Sequence, residues 1–201
     1  MNIKLLGVSA AILFAASISA NATPITSFSD PALIGADTID FDSYTTNEYL
    51  NDFSVGIVNF HNERSPNGNY FASDAFLPGE SGRHIGLYDE GYITFDGGVD
   101  AVAFMLGAIN TDWVIQAFSS TGSFIEAIDI INPSCCTPQV YGFVADNIGA
   151  IRLNSTIPIQ FGDVVVMDNF KYVKSVPEPS TLALFLIALA GFSLASRKRA
   201  S

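Results

Sequence analysis

Basic residues are scarce in this chain. Nine Lys and Arg stand against 20 Asp and Glu in 201 residues, a formal charge of −11. A surface of that sign repels phosphate backbones and anionic headgroups, so nucleic acid is not an expected partner. Histidine is nearly absent. His61 and His84 are the only two, and neither has a second ligand at HxH, HxxxH or HExxH spacing, so no local zinc motif exists. No GxSxG elbow, phosphate-binding loop or Gly-rich dinucleotide turn occurs. A sustained 3.6-residue period is missing too, which argues against a helical body.

What is present at the two ends is easier to read. Lys4 precedes an apolar run from Leu5 to Ala16, and Ala20-Asn21-Ala22 has the small-x-small form of a leader cleavage site. Residues 1–22 are therefore expected to be a signal peptide, with Ala20 and Ala22 at the cleavage positions. At the other end, Pro177-Glu178-Pro179 is followed by 15 uncharged residues, Leu182–Ser196, and then by Arg197-Lys198-Arg199. The prolines favour an extended peptide that a processing enzyme can grip. As a helix the apolar run would extend about 22 Å, short of a hydrocarbon core of about 30 Å. It would span by thinning the bilayer or drawing in its flanks. The basic triplet would stop it on the cytoplasmic side.

This order of motif, apolar segment and basic cluster over residues 176–201 resembles the PEP-CTERM sorting signal of Gram-negative bacteria. The resemblance implies an exosortase-type processing protease as partner and a transient stay in the inner membrane. It further implies a destination at the cell surface or matrix, in the setting of exopolysaccharide and biofilm. It assigns no biochemical activity.

Between the ends lie residues 23–175, one domain's length. This body carries five basic residues (Arg64, Arg83, Arg152, Lys171, Lys174) and 19 acids, 5 − 19 = −14. Short Val, Ile, Phe and Tyr-rich runs alternate with Gly, Asn, Asp, Ser and Pro clusters, which predicts an all-β fold. Candidate strands are 38–41, 55–60, 70–72, 84–87, 92–95, 101–106, 113–118, 123–130, 140–144, 150–154 and 164–173. Asp96-Gly97-Gly98 and Thr121-Gly122 read as hairpin turns, and Asp146–Ile148 as a turn or short helix. The count and spacing predict a two-sheet, jelly-roll-like sandwich.

The patterns "IDFD" at 39–42, "ITFDGGVDAVAFML" at 93–106, "WVIQAFSSTGSFIEAI" at 113–128 and "VVMDNFKYV" at 165–173 resemble carbohydrate-binding-module-like sandwiches of exported proteins. That resemblance implies a structural calcium where the first and last strands meet, with Asp40, Asp42 and Asp168 as ligands. Hard oxygen ligands suit calcium, and strand alternation would place Asp40 and Asp42 on one face. The competing role for Asp168-Asn169 is a backbone cap. Exposed rings could stack on sugars, with Tyr44, Tyr49, Tyr70, Tyr88, Tyr92 and Trp113 as candidates. Trp113 opens an apolar strand and reads as core. Cys135 and Cys136 lie in a Pro-flanked loop of an exported chain, where oxidation is expected. A vicinal bridge would be strained, and the alternatives are intermolecular bridges, two free thiols or a metal contact.

Asp89/Glu90 is the most visible carboxylate pair, but neighbours on a strand face opposite ways. The sequence thus predicts a non-catalytic surface or matrix protein that binds carbohydrate or exopolysaccharide. The alternatives are a secreted hydrolase of matrix polysaccharide and a structural adhesion subunit.

Overall fold

The structure is a computed structural model. It describes residues 22–44, 49–50, 52–62, 69–73, 82–88, 90–131, 137–156 and 164–175. Cys135, Cys136, Asp89, the leader up to Asn21 and the tail from Val176 lie outside the described residues.

Twelve antiparallel strands are present among the described residues. They are β1 Thr23–Ile25, β2 Asp37–Ile39, β3 Tyr49–Leu50, β4 Asp52–Val55, β5 Val58–His61, β6 Asn69–Ser73 and β7 Arg83–Tyr88. The second half of the body supplies β8 Glu90–Gly107, β9 Trp113–Ser119, β10 Phe124–Ile130, β11 Gln139–Ser155 and β12 Val164–Lys174. One 3₁₀ turn, Pro31–Leu33, carries Pro at its start and is capped by Asp30, whose Oδ1 accepts from the Ala32 N–H at 2.9 Å.

Two long strands organise everything else. β8 and β11 pair along their whole length, with shifts in register near Val99 and Ile148. The first half of β8 and the second half of β11 are flanked by β5 and β9. Their other halves are flanked by β12 and β1. One ladder therefore bends into two faces, β4-β5-β8-β11-β9-β10 and β1-β11-β8-β12-β7-β6-β3, which close on each other as a sandwich. The Phe60 ring from the first face meets Phe170 from the second at 5.4 Å, edge on. Phe104 stacks on the same Phe170 ring at 5.7 Å. Phe41, Phe60, Phe104, Phe143, Phe170 and Trp113 are all fully buried. Burial of each such side chain stabilises by about 2–3 kcal/mol before entropy is counted.

The bend explains two departures from the sequence reading. Asp96-Gly97-Gly98 is not a hairpin turn. Gly97 and Gly98 have φ of 88° and 76°, which lets the chain change face while β8 runs on. Opposite them, Asp146–Ile148 is part of β11, with Asn147 at φ 57°. The expected run 55–60 is likewise split by a tight turn at Gly56-Ile57, with Gly56 at φ 61°. Thr121-Gly122 does turn β9 into β10.

The N-terminal segment covers part of the second face. Ile25 and Leu33 bury against Ala101 and Ala103, with Phe28 packed alongside, and Lys171 Nζ sits 4.8 Å from the Phe28 ring centre.

Candidate functional site

On the first face, alternate residues sort by side. Ile93, Ile151, Leu153, Ile115 and Ala117 are buried inward. Their neighbours Tyr92, Thr94, Ala150, Arg152, Gln116 and Phe118 therefore point outward. Register aligns them in two rows. Tyr92 pairs with Arg152 and Arg152 with Gln116; Thr94 pairs with Ala150 and Ala150 with Phe118. Ala150 is the small member of its row, and Gly97, Gly122 and Gly149 add no side chains near it. The result is a cleft of about 790 Å³ across β8, β11 and the β9–β10 turn. That size suits a small organic ligand or a few sugar rings.

Tyr92 stands in the cleft 37% exposed. At the far side Phe118 lines the cleft, and Phe124, which is not among the lining residues, meets its ring edge on at 6.0 Å and is 58% exposed. Thr94, Ser119 and Ser120 add hydroxyls. Ser120 Oγ accepts from Asn147 Nδ2 at 2.6 Å, which leaves its own hydrogen to donate. Asn147 is held in turn by its N–H to Asp100 Oδ1 at 3.2 Å. The β11 bend thereby fixes the cleft rim.

One ion pair lies in the cleft. Arg152 Nε donates to Glu90 Oε1 at 2.7 Å, and Nη2 donates to the same oxygen. The Glu90 side chain is 6% exposed and that of Arg152 41%. Asp96, at the opposite end, is exposed and accepts from Asn59 Nδ2 at 3.2 Å.

The sequence candidates fall out as follows. Trp113 is core, 1% exposed. Tyr44 is half-buried and meets Phe53 edge on at 5.4 Å. The side chains of Tyr49, Tyr70 and Tyr88 lie outside the described residues, so Tyr92 alone of the named rings is placed in the cleft. Arg152 and Phe118 were missed. Arg152 and Glu90 are 62 residues apart, and no local signal joins them.

β2, which holds the first strand expected from the sequence, does meet the last strand, β12. Ile39 pairs with Phe170, which brings the Asp40 stretch to Asp168-Asn169. The expected strand alternation fails there. β2 ends at Ile39, and Phe41 takes φ 58° with its ring buried. Asp40 Oδ1 accepts from the Asp42 N–H at 3.2 Å, and Asp42 Oδ1 from the Arg83 N–H at 2.6 Å. Asp168 Oδ1 accepts from the Asn169 N–H at 2.7 Å. Among the described residues no group of three or more His, Cys, Asp or Glu could hold a metal ion. His61 Nδ1 is paired with Asp52 Oδ1 on the β4–β5 hairpin.

The C-terminal end of the body is tied to the bend. Ser175 donates its N–H to Gly98 O at 3.3 Å and its hydroxyl to Asp100 Oδ1. From that residue onward the chain is recognisable. Residues 175–199 match the PEP-CTERM protein-sorting motif. The motif marks an exported protein that is held at the membrane before processing. The Pro177-Glu178-Pro179 peptide, the apolar run and Arg197-Lys198-Arg199 all fall inside the match. No helix of the described residues is long and apolar enough to cross a membrane.

No curated protein matches the chain. Among solved structures, the cleaved adhesin domain of Lys-gingipain is similar at 9% identity and TM-score 0.46, over 69% of this chain and 99% of that one. A family 11 carbohydrate-binding module of a Clostridium thermocellum cellulase is similar at 14% identity and TM-score 0.22, over 68% and 99%. An arabinoxylan arabinofuranohydrolase from Bacillus subtilis is similar at 10% identity and TM-score 0.36, and only 25% of that chain is covered.

Proposed function

We propose that the protein is an exported, non-catalytic surface or matrix protein that binds carbohydrate through the outer-face cleft. An exosortase-type protease removes its tail first. The observation that carries this reading is the cleft itself. Tyr92 and Phe118 offer ring faces for the apolar faces of sugars, and Thr94, Ser119, Ser120 and Arg152 offer donors and acceptors for hydroxyls.

The hydrolase alternative needs two carboxyls flanking one bond, about 5–9.5 Å apart. The cleft holds Glu90 and Asp96. Six residues of extended strand separate them by about 20 Å, and Glu90 is already engaged with Arg152. That geometry supports binding without turnover.

A panel of immobilised glycans probed with the full-length protein in detergent is the test. Retention on one or more polysaccharides, with no reducing ends released, is the expected result. Release of reducing ends would favour the hydrolase. Uniform failure to bind would favour a structural adhesion subunit.

A further inference from the structure

The charges around the cleft say more than that a sugar fits. We infer that the cleft selects uncharged glycans and discriminates against uronate-bearing or sulfated ones. The inference rests on the carbohydrate reading above and names its ligand class.

Arg152 is the one cation lining the cleft among the described residues, and it is the group an acidic sugar would need. Its charge is already met. Both Nε and Nη2 are turned to Glu90, whose side chain is almost fully buried, so the pair has no net formal charge. Nη1 is left to donate to a hydroxyl. A carboxylate held on the outer Nη1–Nη2 edge would add a second anion to a guanidinium that Glu90 already neutralises. Asp96 at the other end brings the lining to a formal charge of −1. Every other polar liner is a hydroxyl that can donate or accept, as sugar hydroxyls require.

Long-range charge acts in the same direction. The body from 23 to 175 has a formal charge of −14 (5 − 19). A polyanion approaching it is repelled over about a Debye length, about 10 Å at 0.1 M salt. A neutral polymer meets no such barrier.

Ligands that differ only in charge supply the test. Methyl-esterified and free-acid oligogalacturonides share one backbone, and cello- and chito-oligosaccharides extend the neutral set. Affinities are measured by calorimetry on the full-length protein in detergent at low and high salt. Neutral ligands are expected to bind at least about tenfold tighter than free acids at low salt, with the gap narrowing at high salt. Glu90→Gln, which frees the Arg152 charge, should narrow or reverse the gap. Asp96→Asn, at an exposed rim position, should narrow it without touching the buried pair, so the test survives if Glu90→Gln folds poorly. Equal or tighter binding of the free acids by the unaltered protein would overturn the neutral selectivity and leave the carbohydrate reading standing. Binding of none of these ligands would overturn both.

Discussion

At the scale of single residues, two ion pairs make opposite demands. Glu90 is buried and Arg152 is not, so their loss should be unequal. Arg152→Ala leaves a carboxylate facing the cleft floor without its guanidinium and is expected to cost about 2–3 kcal/mol; Arg152→Lys should recover part of it. Urea unfolding at neutral pH measures both. A loss below about 0.5 kcal/mol would mean that the pair is an ordinary surface contact. The second pair ties β2 to the end of β12. Lys174 Nζ lies 2.8 Å from Asp37 Oδ2. Its hydrogen bond and charge hold the Asp37 carboxyl below the usual carboxylate range, and Asp37 in turn raises Lys174. The depressed acid contributes stability above its unfolded pKa of about 3.9, and this is lost as pH falls through the lower folded value. The raised amine contributes below about 10.4 and is lost as pH rises through the higher folded value. Both groups are exposed, so the effect is small. Its signature is a difference between the parent and Asp37→Asn melting curves at neutral pH that vanishes in strong acid and strong base.

At the scale of elements, the sequence was most legible where the period-two pattern is clean. The alternating pairs Ile93/Phe95, Val102/Phe104/Leu106 and Ile151/Leu153 fall in β8 and β11, and the Thr121-Gly122 turn follows from turn chemistry. The failures cluster at bends. Asp-Gly-Gly is hairpin chemistry, yet here the same left-handed glycines let one strand change face. Local propensity cannot tell reversal from bending, because the decision is made by which strand pairs beyond the turn. The cleft inherits that limit. Tyr92, Arg152 and Phe118 come from three strands and meet only through register. The Asp168-Asn169 step is another such bend, with Asn169 at φ 50° and Asp168 Oδ1 on its N–H. Asp168→Ala should lower stability by about 1 kcal/mol through loss of that bond. Melting in calcium and in chelator reads the sequence-based calcium expectation at the same time. The turn role predicts an equal loss in both. A chelator-sensitive midpoint that Asp168→Ala abolishes would instead place an ion at Asp40, Asp42 and Asp168.

At the scale of the whole molecule, both ends of the body leave from the second face, on strands three spacings apart. Thr23 pairs with Val144, Val144 with Ala101 and Ala101 with Val173. Three strand spacings put the ends about 15 Å apart. Mass spectrometry of surface-released protein should find a C-terminus near Pro177-Glu178-Pro179, and Glu178→Ala should leave the uncleaved form in the membrane. A released chain ending at Ser201 would contradict the sorting account. The central claim, a carbohydrate site on the outer face, is tested most directly by titrating one bound neutral oligosaccharide into the parent protein and Tyr92→Ala. Tyr92 is partly exposed on the cleft wall, so its loss should leave the melting temperature within about 2 °C and weaken binding by about tenfold or more. Unchanged affinity in a folded Tyr92→Ala protein would contradict the account.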